Sequence, residues 1–172
     1  MTGPARPNVV PWSVAEPARA RRDRADVESA FPDLRWVHGS PEGGWTGRLP
    51  LWPFDRPEPP GLRALADDGL VVDVDYPAAY PMVAVRVWPR DPEPSIHERT
   101  QHRWHVNGDG SLCLLQSDGI WDPRASVTEL LLKAAGWRVE YALLKAGLTE
   151  SMTESGVVSD SSRDHLLAAG TG

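Results

Sequence analysis

The stretch HVNGDGSLCLLQSDGIW, residues 105–121, contains the only cysteine in the chain. Glycine, aspartate and serine favour tight turns, and they cluster at 108–110 before Cys113 and at 117–119 after it. This pattern predicts that Cys113 lies on a short extended segment between two loops. A side chain in such a place can be reached by a large substrate.

The residues alone leave two roles open for Cys113. Cysteine is among the residue types most often buried, and it commonly fills space in a core. Its thiolate is also a nucleophile. In that role, the side-chain amide of Asn107 could donate a hydrogen bond to an oxyanion formed at a carbonyl on the sulfur. His105 could organise this loop or act as a base.

A metal site and a cysteine hydrolase are further alternatives. His97, His102 and His105 lie near Cys113 in the sequence, and histidine with cysteine is a common zinc ligand set. These residues lack the tight pairing of a structural zinc site, and no second shell of supporting residues is recognisable. A hydrolase needs a base and an orienting residue, and no such His/Asp arrangement stands out.

Length and composition indicate one loop-rich α+β domain. The chain has 172 residues, of which 41% are hydrophobic and 24% are charged, and it contains 17 prolines and 15 glycines. We expect a flexible lead-in at 1–13, a folded domain at 14–148 and a C-terminal tail at 149–172. The tail has room for a short helix near 161–169.

An antiparallel meander of about four strands is predicted in the middle of the chain. DLRWVHG and GGWTGRLPL are aromatic-rich segments bounded by glycine and proline, which is typical of a hairpin. Alternating apolar residues at 70–76 and at 83–87 predict two more strands. The proline-containing segment 89–100 is expected to be a loop.

Helices are predicted on both sides of the meander. A serine with a glutamate three residues later, at 13–16 and again at 126–129, resembles a capping box. The first box predicts a helix within 14–31, and Gly147 is placed to end the long helix that follows the second. We expect the broad apolar face of the long helix to pack on the sheet. That face consists of Val127, Leu130, Leu131, Ala134, Trp137, Tyr141 and Leu144.

The net charge argues against binding to nucleic acid or to an anionic membrane. The formal charge is −6 and the pI is about 5.3. No apolar run is long enough to span a bilayer and no signal peptide is recognisable, so we expect a cytoplasmic protein whose thiol stays reduced. Four arginines of the first helix predict either a basic docking face for an acidic partner or a solvated surface. They are Arg19, Arg21, Arg22 and Arg24.

The segment around Cys113 resembles the active-site region of the ubiquitin-conjugating enzymes. That family has a His-Pro-Asn tripeptide, a glycine turn, the thioester-forming cysteine followed by leucine, and a Trp-x-Pro motif before a long helix. The corresponding residues are His105, Val106, Asn107, Gly110, Ser111, Leu112, Cys113, Leu114, Trp121, Asp122 and Pro123. Upstream, PAAYP at 77–81 resembles the family's Pro-x-x-Tyr-Pro turn. The resemblance covers about 14–148.

The resemblance implies a ubiquitin-conjugating-enzyme-like fold and a carrier that holds a ubiquitin-like protein as a thioester on Cys113. An activating enzyme would supply this modifier and an amine of a target protein would accept it, with no metal or small cofactor. Asn107 would stabilise the oxyanion, and we expect His105 to brace its loop. The arginines of the first helix would meet the activating enzyme. Scaffold beneath the catalytic segment would come from Tyr80, Pro81 and Trp121.

Several departures separate the chain from the eukaryotic enzymes. Val106 replaces the proline of the tripeptide, the turn before Cys113 is two residues shorter, and Leu115 stands where many members have an acidic residue. These features and the Ala/Arg/Pro/Gly-rich composition resemble compact bacterial relatives in ubiquitin-like conjugation systems, some of them antiviral. The alternative is a catalytically inactive module of the same fold that only binds a ubiquitin-like protein.

Overall fold

The computed structural model describes residues 10–39, 42–115 and 120–168, which form an α+β fold. Of the lead-in expected at 1–13, only the part from residue 10 is described. None of the described helices has both the length and the apolar character needed to cross a bilayer. A 3-10 turn covers His102–Trp104. The other elements are α1 (Trp12–Ala15), α2 (Pro17–Ala30), β1 (Leu34–Val37), β2 (Gly44–Leu49), α3 (Leu62–Leu65), β3 (Leu70–Asp75), β4 (Arg86–Asp91), α4 (Ile96–Arg99), α5 (Val127–Lys145) and α6 (Asp164–Ala168).

The four strands form one antiparallel sheet in the order β1-β2-β3-β4, which confirms the predicted meander. In the register, Val74 of β3 lies opposite Trp45 of β2 and Val87 of β4. Successive residues of a strand face opposite sides of the sheet, and Leu70, Val72 and Val74 of β3 are all buried. This side of the sheet therefore faces the main core.

Strand β4 begins and ends later than the alternating valines predict. It starts at Arg86, and Val83 lies before it with 49% of its surface exposed. It continues into the segment expected to be a loop, where Pro89 pairs with Val72. Proline is tolerated there because β4 is an edge strand of the sheet, so a missing N–H donor costs little.

Helix α4 also lies inside the segment that was expected to be a loop. The Ser95 hydroxyl accepts a hydrogen bond from the N–H of Glu98 at 3.3 Å, and the Glu98 carboxylate accepts one from the N–H of Ser95 at 2.7 Å. This reciprocal capping box satisfies N–H groups that the start of a helix leaves unpaired. Glu98 also accepts from Tyr141 at 3.0 Å and from Lys145 at 2.9 Å, so α4 is tied to α5.

The helix predicted within 14–31 is interrupted at Pro17. Glu16, between α1 and α2, has a φ of −124° and a ψ of 60°, which are not helical values. Proline lacks an N–H and disfavours helical geometry in the residue before it. The capping box predicted from Ser13 and Glu16 is therefore wrong, and Pro17 takes the first position of α2. Trp12 in α1 is buried.

Helix α5 is the predicted long helix, and its apolar face is buried as expected. The Ser126 hydroxyl caps its start by accepting a hydrogen bond from the N–H of Thr128 at 3.4 Å. The capping box predicted from Ser126 and Glu129 is not formed, although the structure describes both residues. Gly147 follows the helix with a φ of 71°, a left-handed conformation that glycine adopts readily and that ends a helix.

Helix α5 separates two hydrophobic clusters. Its predicted apolar face joins the sheet and α2 in the main cluster. The opposite face enters a second cluster, whose buried members are Leu51, Leu62, Ala66, Val139, Ala142, Leu143, Val157 and Leu167. The segment expected to be a tail therefore contributes core side chains, since Val157 and Leu167 are fully buried. Helix α6 falls within the short helix predicted at 161–169, of which residue 169 lies outside the described residues.

Leu167→Ala should lower the free energy of unfolding by about 2–5 kcal/mol, because the substitution leaves a cavity where a side chain was fully buried. Ile120→Ala is the control, since Ile120 is 96% exposed, and it should change this free energy by less than about 0.5 kcal/mol. Chemical denaturation followed by tryptophan fluorescence measures both. Equal effects of the two substitutions would contradict the packing of the C-terminal segment on α5.

Candidate active site

Cys113 ends a short hairpin that follows the 3-10 turn, and we call residues 105–113 the Cys113 hairpin. The N–H of Cys113 donates to the carbonyl oxygen of His105 at 2.9 Å, which closes the hairpin. Gly110 lies in the turn with a φ of 93°, a left-handed value that favours glycine. The turn predicted at 108–110 is therefore confirmed.

The Cys113 hairpin is anchored on the edge strand of the sheet. The N–H of Leu112 donates to the carbonyl oxygen of Val87 in β4 at 2.8 Å, and Val106 pairs with Leu112 across the hairpin. Val106 and Leu112 are buried in the main cluster, whereas Cys113, the next residue along the chain, is half-buried. This alternation is typical of extended backbone, and it does not fit the fully buried, space-filling role considered for Cys113.

Asn107 uses both hydrogens of its side-chain amide inside the hairpin. Its Nδ2 donates to Oγ of Ser111 at 3.0 Å and to the carbonyl oxygen of Leu112 at 3.3 Å. The Asp109 carboxylate accepts from Oγ and from the N–H of Ser111, at 2.7 and 2.9 Å, and these bonds lower the pKa of Asp109. Asn107 therefore braces the turn. To bind an oxyanion it would have to release the longer of its two bonds.

Two depressions meet at Cys113. The larger, which we call the apolar groove, has a volume of about 450 Å³ and is lined on its apolar side by Met82, Val83, Val85, Leu112, Leu115 and Trp121. The smaller, which we call the polar cleft, has a volume of about 30 Å³ and is lined by His105, Lys133, Glu140, Thr153 and Glu154 among others. A space of that size holds about one water molecule. The turn predicted at 117–119, between Cys113 and Trp121, lies outside the described residues.

His105 holds Cys113 through its backbone. Its φ of 50° and ψ of 45° are left-handed, which is uncommon for residues other than glycine, and its carbonyl oxygen accepts the N–H of Cys113. Burial, followed by the nearby His102, lowers the pKa of the His105 imidazole, so this ring is neutral at pH 7. A neutral ring at the polar cleft can accept a proton.

Tyr80, Pro81 and Trp121, predicted to be scaffold, are brought together by the structure. The indole Nε1 of Trp121 donates to the carbonyl oxygen of Pro81 at 2.7 Å, and the ring centroids of Trp121 and Tyr80 are 6.4 Å apart. Tyr80 is buried and its hydroxyl donates to Asp23. Burial raises the pKa of Tyr80, so the phenol stays protonated. Trp121 therefore links the apolar groove to the buried Tyr80.

Arg19 belongs to the interior of the fold. Its side chain is 9% exposed, and Nη2 donates to the hydroxyl of Tyr80 at 2.8 Å and to the carbonyl oxygen of Ala125 at 2.7 Å. These bonds join α2 to Tyr80 and to the loop before α5. The prediction that Arg19 is part of an exposed docking face is therefore corrected, because its donors are used inside the protein.

The other three arginines of the predicted docking face are exposed. Arg22 donates to the carbonyl oxygen of Ala125 at 3.1 Å, and the guanidinium of Arg24 lies 4.7 Å from the ring centre of Trp36. Arg21 and Arg24 line a cavity of about 630 Å³ beside the N-terminal helices. None of its described lining residues belongs to the two depressions at Cys113.

The histidines considered as metal ligands do not converge on one point. The ring centroids of His102 and His105 are 5.9 Å apart, and within the described ranges no three potential ligands come together in a metal-binding arrangement. The nearby Glu154 carboxylate opposes the lowering of the His105 pKa, and His105, Glu154 and Cys113 all line the polar cleft. A carboxylate thus lies near the candidate base, although no arrangement of this kind stands out in the sequence.

Lys133 and Glu154 are among the residues of the polar cleft that were not predicted from the sequence. A compositional signal existed for Lys133, because it and Lys145 are the only lysines among the 18 Lys and Arg residues of the chain. Glu154 lies in the segment expected to be a tail. No local pattern connects it to Cys113, since the packing of that segment on α5 brings it to the cleft.

No family model matches the chain, and no curated protein and no solved structure matches it either.

A proton NMR titration should place the pKa of His105 below the ordinary histidine value of about 6.5, because burial disfavours the imidazolium. The unfolded chain then binds a proton that the folded chain does not, so the free energy of unfolding should fall as the pH drops below about 6.5. His105→Asn, which tolerates left-handed backbone, should lose this part of the pH dependence. Titration of folded His105 at or above about 6.5 would contradict the burial of its ring.

Proposed function

We propose that the protein is a ubiquitin-conjugating-enzyme-like transferase that carries a ubiquitin-like protein as a thioester on Cys113. The observation that carries this proposal is the place of half-buried Cys113, where an apolar groove and a polar cleft meet on a hairpin fixed to the sheet. The motifs support it, because Asn107, Cys113 and Trp121 keep the order of the family and all line the apolar groove.

The order of the elements gives further support to a ubiquitin-conjugating-enzyme-like fold. Helices α1 and α2, the four-stranded meander, the Cys113 hairpin and α5 follow one another as they do in that family. After α5, the described chain has only the short α6, where the family usually has two helices. One fold supports many functions, so the functional part of the proposal rests on Cys113 and its surroundings.

The apolar groove suits the C-terminal tail of a ubiquitin-like protein, which must reach the thiol as an extended peptide. Met82 and Val83 are 73% and 49% exposed, and both line this groove. Apolar side chains that are exposed together mark surfaces that bind partners. A tail lying there removes them from water and leads its terminal carbonyl to Cys113.

The proposed reaction consists of two acyl transfers. The thiolate of Cys113 attacks the thioester carbonyl that the activating enzyme presents, and the cysteine of that enzyme leaves as a thiolate. A deprotonated amine of the target then attacks the new thioester. The C–N bond forms, the C–S bond breaks with its electron pair on the sulfur of Cys113, and the nitrogen loses a second proton. Both transfers pass through a tetrahedral oxyanion, which needs a nearby donor or positive charge. Neither step needs a metal or a small cofactor.

The partners in this proposal are an activating enzyme, a ubiquitin-like protein and a target protein. The exposed residues Arg21, Arg22 and Arg24 are candidates for contact with the activating enzyme, and the cavity that Arg21 and Arg24 line shares no described lining residue with the depressions at Cys113. We place the reaction in the cytoplasm, in a bacterial ubiquitin-like conjugation system of the kind that includes antiviral members. This placement rests on the sequence resemblance alone.

The alternative is a catalytically inactive module that binds a ubiquitin-like protein through the same apolar groove. One observation favours it: both amide hydrogens of Asn107, the residue expected to stabilise the oxyanion, are engaged within the Cys113 hairpin. The retained Cys113 favours the transferase.

Incubation with a cognate activating enzyme, ATP and its ubiquitin-like protein should give an adduct of this chain that reducing agent removes, because the modifier is held as a thioester. Cys113→Ala should form no adduct. Cys113→Ser should form an oxygen ester that survives the reducing agent. Intact-protein mass spectrometry measures all three. Binding of the modifier without any adduct on the wild-type chain would replace the transferase by the binding module.

Met82→Glu should slow formation of the Cys113 adduct by roughly tenfold, because a charge replaces an apolar side chain that the modifier's tail is proposed to cover. Ile96→Glu is the matched control: Ile96 is 75% exposed and lies on α4, outside the groove. It should leave the rate unchanged. Single-turnover transfer from the loaded activating enzyme measures both, and equal rates would contradict the assignment of the groove to the tail.

A further inference from the structure

Lys133 places the side chain of a rigid helix at the polar cleft beside Cys113. It lies within α5, far from either end of this helix, and its side chain is half-buried. Its Nζ donates to the carbonyl oxygen of Leu114, the residue directly after Cys113, at 3.5 Å. The ammonium group of Lys133 is therefore held near the backbone that directly follows Cys113, the residue whose sulfur would carry the acyl group.

The positive charge of Lys133 is not neutralised by an ion pair in the part of the chain that the structure describes. The other lysine, Lys145, pairs with Glu98 at 2.9 Å, whereas no ion pair there includes Lys133. Glu140, which lines the same cleft, accepts from Thr153 at 2.7 Å and lies 3.5 Å from Arg163. One long hydrogen bond leaves the ammonium of Lys133 with protons to donate.

We propose that the ammonium of Lys133 stabilises the oxyanion in acyl transfer at Cys113, the task that the sequence pattern assigns to Asn107. This inference rests on the proposed function. Asn107 has two amide hydrogens and donates both within the hairpin, at 3.0 and 3.3 Å. Lys133 has three protons and one weak contact, so binding an oxyanion costs it no strong hydrogen bond.

The apolar groove and the polar cleft both lie at Cys113 but differ greatly in volume. This difference decides where the carbonyl oxygen of a Cys113 thioester can lie. If the tail of the modifier fills the apolar groove, the polar cleft remains for the carbonyl oxygen of the Cys113 thioester. The cleft has a volume of about 30 Å³, which is enough for one small polar group and too little for a peptide. When the amine attacks, the electron pair of the C=O bond moves to this oxygen, beside a fixed positive charge. It returns as the C–S bond breaks and Cys113 leaves as a thiolate, so Lys133 is not consumed.

The test is single-turnover discharge of the purified Cys113 thioester by a small primary amine, in the full-length chain. Lys133→Met, which keeps the length of the side chain and removes the charge, should slow discharge by about 10²–10³-fold. Lys133→Arg should recover most of the rate, because it restores the charge and the donors. Lys145→Met, at the only other lysine, should discharge at the wild-type rate. Asn107→Ala should have a smaller effect than Lys133→Met.

Unfolding midpoints of all variants separate a catalytic effect from a folding effect, and Lys133→Gln replaces Lys133→Met if the latter does not fold. A discharge rate of Lys133→Met, or of its replacement Lys133→Gln, within about threefold of the wild-type rate would overturn the role of Lys133. It would leave the proposed function intact. A second outcome would also overturn it, namely an adduct on Lys133 that resists reducing agent, since Lys133 would then be an acceptor of the modifier. If the wild-type chain forms no thioester, both the inference and the proposed function fail.

Discussion

The backbone hydrogen bond from Leu112 to Val87 is the contact on which the arrangement of the site depends. It extends the edge of the sheet by one short hairpin, and this hairpin buries Leu112 while leaving Cys113 half-buried. Because side chains of extended backbone alternate between faces, a shift of one residue would exchange these two environments. The bond from Cys113 to His105 and the bracing of the turn by Asn107 hold the same register from the other side.

Helix α5 connects this hairpin to the rest of the fold. The indole of Trp137 donates to the carbonyl oxygen of Trp104, at the entry to the Cys113 hairpin, at 2.8 Å. Lys133, one turn earlier on the same helix, contacts the carbonyl oxygen of Leu114 after the hairpin. A single rigid element thus contacts both ends of the segment that carries the thiol. Because α5 is packed on both faces, its position is firmly determined, which suits the two transfers proposed for Cys113.

Local patterns predicted the parts of the fold that are decided locally. The apolar residues that recur at 70–76 and in α5 were expected to be buried on one face of each element. They are buried in the structure. The errors arose where another constraint acted: Pro17 interrupts a helix, Pro89 is accepted in an edge strand, and a capping box begins α4 inside an expected loop. Cys113 could be singled out because its turn and neighbours are adjacent in sequence. Glu154 could not, and for Lys133 the only signal was the rarity of lysine, since tertiary packing brings both residues to the cleft beside Cys113.

The central claim is that Cys113 receives an extended peptide along the apolar groove without rearrangement of its hairpin. A crystal structure of the chain with Cys113 linked to a peptide that mimics the end of a ubiquitin-like protein, through a bond that does not hydrolyse, tests this claim most directly. The account predicts that the peptide covers Met82 and Val83, that its last carbonyl oxygen faces Lys133, and that the hydrogen bond from Leu112 to Val87 persists. A peptide that leaves Cys113 away from the groove, or that binds only after the hairpin separates from β4, would contradict the account.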